Sequence, residues 1–311
     1  MKNVDAARIT DVALMLGPLS REAASEARPA YFDEPLQLAP DIVLGRFPFD
    51  ERVLQACQSP GENWERYHEF STYAIWHTGA TYFVEGKAGF NNARRLSTVM
   101  QLSRLVRPTS LGFTRAARII EWDASLTEIV PSRAESRGAR IFVADSSKDW
   151  LRDTDVPALR AIIATFKPAS LPERVNDAMR HFEYTHGLDD FNSRWPMMAT
   201  AVEALVHTDE RKKVYSGKGM RVTDQFVYRL LNLGKLVPGT SWTEDELDQA
   251  YEDRSGFAHG RGLNGVSPDD LIRRYRSFEE NVRRVLHALV LDAGLAAIFV
   301  DDDSIRKHLN P

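Results

Sequence analysis

The apolar positions of this chain change rhythm near residue 170. Before that point the runs are short and of mixed period. Val12–Leu16 is a brief apolar run with acidic neighbours, cut by Gly17 and Pro18. Gln37–Phe49 carries Pro40, Ile42, Val43, Leu44, Phe47 and Phe49 and reads as an extended segment with turns. Ser71–Glu85 is rich in aromatic and β-branched residues (Tyr73, Ile75, Trp76, Tyr82, Phe83, Val84), with Gly79 in its middle; it predicts a hairpin or two short strands. Asn92–Val106 spaces Leu96, Val99, Met100, Leu102, Leu105 and Val106 close to a helical period, and Pro108 ends it. Arg118–Trp122 and Ala139–Ala144 read as short β-like runs joined by a polar loop. Asp155–Phe166 is a helix candidate with Pro157 near its first turn.

From Leu171 the pattern is helical almost throughout. Pro172 opens a helix toward His186, closed by Gly187. Asn192–His207 follows, with Trp195, Met198, Val202, Leu205 and Val206 apolar and Pro196 expected in the first turn. Thr223 is the expected cap of Asp224–Leu233, which Gly234 would terminate. Thr243-Glu244-Asp245-Glu246 is a capping box, and its helix should run through Arg254–His259 and stop near Gly260. Ser267-Pro268-Asp269-Asp270 starts a long helix, expected to reach toward Val300, where Asp301-Asp302-Asp303 breaks it before a short tail, Ser304–Leu309. Pro168, Pro172 and the change of pattern divide the chain. Residues 1–170 form a mixed α/β domain and residues 171–311 a helical one, so the fold class expected is mainly α.

Composition narrows the function classes. Apolar residues make up 43% and charged residues 27%, enough to bury a core without a disulfide. Cys57 is the one cysteine, so no intrachain disulfide forms, and it reads as a small buried hydrophobe. A reducing cytoplasm fits. The N-terminus lacks the basic start and apolar length of a signal peptide, and no stretch approaches membrane-spanning length. The formal net charge is -4, and all of the deficit lies beyond residue 170. A generally basic nucleic-acid coat is excluded; any RNA contact must be local.

The most informative segment is Tyr251-Glu252-Asp253-Arg254-Ser255-Gly256-Phe257-Ala258-His259-Gly260. Its form Tyr-x-x-Arg-Ser-x-x-x-His-Gly resembles the Apea-like branch of the HEPN family. Upstream, Arg194-Trp195-Pro196-Met197-Met198-Ala199-Thr200-Ala201-Val202-Glu203-Ala204-Leu205 resembles that branch's first core helix, with its Ala-x-Glu-x-Leu element, and Arg221–Leu231 its second. The resemblance covers somewhat under half the chain and leaves residues 1–170 unassigned, with a sensing or regulatory role one possibility. It implies a C-terminal HEPN-like helical bundle and a metal-independent endoribonuclease without cofactor, of toxin or antiviral-defence type. It also implies an RNA substrate, a homodimer formed through the C-terminal helices, and an antitoxin or other regulatory partner. Arg254 and His259 take the catalytic roles, with Glu203, Ser255 and Tyr251 in support. Some HEPN toxins carry a modifiable tyrosine two residues past the histidine; here that position is Arg261, which argues against this control.

The chemistry suits these residue types. Cleavage needs a proton taken from the 2′-hydroxyl and one given to the leaving 5′-oxygen; histidine titrates near neutrality and serves either step. Arginine stays charged and offers a fork of hydrogen bonds to the phosphate as negative charge builds. The segment holds no dense Asp/Glu/His ligand set. On an ideal helix a five-residue step turns about 140°, so Arg254 and His259 would share no face. Distortion near Gly256, a helix end, or a second copy could bring them together. Each residue also has a purely structural reading: His259 as a helix C-terminal histidine, Arg254 as an ion-pair partner of Glu203, Tyr251 and Phe257 as packing residues. Arg273, Arg274, Arg276, Arg283 and Arg284 form a basic cluster, read as a solvated face salted by Glu279 and Glu280. His68 and His77 read as packing or surface histidines. A non-catalytic dimeric module that binds RNA, a nucleotide or a protein remains the alternative function, and the acidity of residues 171–311 favours it.

Overall fold

The computed structural model describes residues 7–14, 34–57, 73–81, 87–109, 113, 116–123, 126–132, 151–188, 190–209, 219–260 and 265–310. The expected run 139–144, His68 and Arg261 lie outside them. The chain divides into two compact units, Met1–Ala164 and Thr165–Pro311. The described residues are mostly helical, with an antiparallel sheet in the first unit.

The first unit is built on six strands in the order β2-β3-β4-β1-β5-β6. They are β1 (Ala7–Leu14), β2 (Leu36–Ala39), β3 (Ile42–Arg46), β4 (Tyr73–Thr81), β5 (Ala116–Asp123) and β6 (Leu126–Ser132). Helices α1 (Glu51–Cys57), α2 (Lys87–Val106) and α3 (Val156–Thr165) accompany them. Side chains alternate across each strand. Val12, Ala74, Trp76, Ala117 and Ile119 gather with Val53, Leu54 and Cys57 of α1 into one core. Cys57 is 1% exposed, and its thiol reaches the Val12 carbonyl at 3.5 Å.

Two expectations change here. Tyr73–Thr81 is one strand rather than a hairpin, because Gly79 continues the pairing, opposite Ile9 of β1. The segment after β5 is not all polar loop: it forms β6, whose edge position tolerates Pro131. His77 is also more than a packing residue. It is buried, lies opposite Asp11 in the register, and bonds Asp41 at 2.8 Å. Arg95 holds the other Asp41 oxygen at 2.9 Å, and Arg118 grips Asp11 with two bonds of 2.9 and 3.2 Å. Burial raises the Asp11 carboxyl, against the pull of Arg118.

The second unit holds α4 (Glu173–His186), α5 (Phe191–Val206), α6 (Val222–Leu236), α7 (Glu244–Ala258), α8 (Pro268–Leu291), α9 (Ala293–Ala296) and α10 (Asp302–Leu309). Helix α5 packs against α4, α6, α7 and α8, and its Trp195, Met198, Ala199, Val202 and Leu205 are fully covered. The Trp195 indole donates to the Ala250 carbonyl at 3.0 Å, tying α5 to α7. Buried Arg229 donates to the Val206 carbonyl, Thr208, Gln225 and Asn310, fastening α6 to the end of α5 and to the last turn of the chain.

Several helix ends differ from expectation. Pro196 is the sixth residue of α5, past the first turn; Asp190 caps that helix through the Ser193 N–H. Arg221, not Thr223, precedes α6, and Gly234 lies inside it. A Cβ on Gly234 would meet Thr240 at 3.3 Å and Trp242 at 3.4 Å, so the glycine serves close packing rather than termination. Helix α8 stops at Leu291 because Asp292 turns to cap Gly294 and Leu295. Asp301 starts a helix instead of a tail, accepting from Ser304 at 2.7 Å.

Candidate functional site

Helix α7 opens with the expected capping box: Thr243 accepts from the Glu246 N–H, and the Glu246 carboxylate accepts from the Thr243 N–H. It continues unbroken through Gly256. The His259 N–H still bonds the Ser255 carbonyl at 3.1 Å, so the helical ladder holds to its end and His259 is the C-cap. Gly260 follows at φ 66, the left-handed turn that glycine adopts at low cost. The step from Arg254 to His259 is thus taken at a helix end, without a kink at Gly256.

Arg254 donates from Nη2 to Glu203 Oε2 of α5 at 3.1 Å. The arginine side chain is 28% exposed and the glutamate 15%. The guanidinium lies 5.7 Å from the centre of the Tyr251 ring, which packs in turn on Phe226. Three of the five expected site residues therefore meet: Glu203, Arg254 and Tyr251. Ser255 joins through its backbone carbonyl alone, its side chain making no hydrogen bond among the described residues. His259 is exposed, and its ring has no hydrogen-bond partner among the described residues. No bond joins it to Arg254. Phe257 is half-buried against Phe191, with ring centroids 6.2 Å apart.

Two further residues belong to this helix end. Asp253, next to Arg254, is fully buried; Gln249 donates to it at 2.9 Å, and Arg274 of α8 approaches its oxygens at 3.3 and 3.4 Å. Burial raises the Asp253 carboxyl, only partly offset by Gln249 and Arg274. From the sequence, Arg274 is expected in a solvated cluster. That cluster is split: Arg283 and Glu279 are buried, while Arg284 bonds Glu280 and the Gly239 carbonyl. Only the contact of α7 with α8 distinguishes Arg274 from its neighbours, and no local pattern carries that.

Glu203 also lines a cleft of about 550 Å³ with Glu173, Arg174, Asp177, His207 and Phe299. The Arg174 guanidinium is occupied by the carbonyls of Ala204 and His207 and by Asp302. Among the described residues no group of three or more His, Cys, Asp or Glu side chains could hold a metal ion, and no helix is long and apolar enough to cross a membrane. No protein-family model matches the chain, and neither a curated protein nor a solved structure matches it.

Proposed function

We propose that the C-terminal unit is a HEPN-like helical bundle that cleaves RNA without a metal ion, with Arg254 and His259 as its catalytic pair. One observation carries the reading. The guanidinium of Arg254 is fixed on Glu203 yet partly open, and five residues on, at the end of the same helix, His259 stands exposed with a free ring among the described residues. A histidine in that place can take the 2′-hydroxyl proton as the oxygen attacks phosphorus. The bond from phosphorus to the 5′-oxygen breaks, and that oxygen takes a proton. The products are a 2′,3′-cyclic phosphate and a 5′-hydroxyl. Arginine offsets the charge that builds on the phosphate oxygens. Glu203 and Tyr251 position Arg254, and Ser255 sets the last turn.

A step of about 140° along one helix does not aim both side chains at one phosphorus. The reading therefore includes a twofold pair of chains, with two arginines and two histidines lining one cleft. The role fits a toxin or defence effector, residues 1–170 sensing the trigger and an antitoxin as a regulatory partner. The net charge of -4 favours a second reading, a non-catalytic module of the same shape that holds RNA, a nucleotide or a protein. One assay separates them: total RNA incubated with the protein in chelator, beside His259→Ala. Cleavage leaving cyclic phosphate ends, and lost in the variant, is the expected result. Strict dependence on added magnesium or manganese, or full activity in His259→Ala, removes the proposed site.

A further inference from the structure

We propose that Arg274 is a second phosphate-binding arginine, held on the buried carboxylate of Asp253 as Arg254 is held on Glu203. The inference rests on the RNA reading above and deepens it. Arg274 reaches Asp253 with Nη1 alone, and its other two nitrogens make no hydrogen bond among the described residues. Its side chain is 33% exposed over an aspartate side chain that is 1% exposed. Arg254 repeats the arrangement, one terminal nitrogen on a mostly buried acid and the side chain 28% exposed. Asp253 and Arg254 are consecutive, so their side chains leave α7 about 100° apart. Arg254 thus stands on α7 itself, and Arg274 of α8 is tied to the residue before it, near the C-terminal end of the same helix. The carbonyl end of a helix is electronegative, and cations held near it offset that where a polyanion would cross.

Two other arginines of α8 differ. Arg273 lies on the surface beside Asp270, its side chain 76% exposed, and Arg283 is buried against Glu279. Asp253 carries its charge at a cost to folding. Its raised carboxyl means that folding disfavours the charged form even with Gln249 and Arg274 in place. What the charge achieves is a guanidinium fixed in position with donors still open. A fork already ordered loses little freedom when phosphate binds.

The test uses the full chain and a short single-stranded oligoribonucleotide, 2′-O-methylated so that it cannot be cut. Affinity is measured across a range of salt. Arg274→Ala should bind about tenfold more weakly at low salt and flatten the logarithmic salt slope by about 0.7, the loss of one phosphate contact. Arg273→Ala, one residue away, should change neither. Arg274→Lys should keep the slope and lose part of the affinity. Asp253→Asn should weaken RNA binding while its thermal midpoint holds or rises; a merely structural pair would lower the midpoint and leave the slope alone. If Arg274→Ala binds like the parent while Arg254→Ala does not, this inference fails and the RNA reading survives. A parent protein that binds no RNA ends both.

Discussion

Arg254 and His259 are expected to differ in what their loss does to the fold. Removing Arg254 leaves Glu203, 15% exposed, without its cation. Arg254→Ala should therefore cost about 1–3 kcal/mol in urea unfolding, the range for a buried polar group left unpartnered. His259→Ala removes an exposed ring at a helix cap and should stay within about 0.5 kcal/mol of the parent. Equal stabilities would show that the Glu203 pair carries no structural load. The ion pair of Arg254 with Glu203 was legible as the structural reading of Arg254, and the capping box sets where α7 begins. Asp253 was not. Whether an acid on a charged helix faces solvent or core depends on the rotation of that helix in the bundle, and nothing in its neighbours fixes the rotation. His77 escaped because its partner is distant in sequence: Asp41 stands on the turn between two other strands.

At the scale of the element, α8 shows how one helix carries opposite burdens. Its inner side buries Glu279 between His186 of α4 and Arg283, at 3.7 and 3.6 Å. Burial alone would raise this carboxyl, but His186 and the cations of Arg283 and Arg194 outweigh it and hold it below the ordinary glutamate value. The folded chain thus binds the proton more weakly than the unfolded chain. The resulting stability is present in full above about pH 4.5 and is lost as pH falls through the lower folded value. Glu279→Gln should cost about 3 kcal/mol at neutral pH, since it leaves Arg283 buried without its acid. The gap from the parent should narrow in acid, as followed by thermal unfolding from pH 7 to pH 3. A gap independent of pH would contradict the assignment. The starts of α7 and α8 were the legible part of these elements, because Thr243 and Ser267 cap through side chains close in sequence. Other ends and interiors were less so: Gly234 answers to Trp242, Asp292 caps where the helix is expected to run on, and Asp301 caps where a run of acids is expected only to break it.

At the scale of the molecule, each unit buries a core of its own. Residues 165–311 expressed alone should fold cooperatively, with the circular dichroism of a helical protein. If the paired cleft of the proposal forms, light scattering at micromolar concentration should size that fragment as a dimer. A folded fragment that stays monomeric while the full chain dimerises would move the pairing to residues 1–164. The division into a mixed first part and a helical second part was visible in the change of apolar rhythm. The sheet order was not, because β1 is paired on both sides by strands far along the chain. One small feature of the first unit makes larger questions approachable. The chain has a single thiol, and Cys57 keeps it 1% exposed at the end of α1. A cysteine introduced on the surface is therefore expected to be the only one that a spin label or fluorophore reaches. One label in each unit would report the distance between them by resonance methods, with and without RNA, in an otherwise native chain.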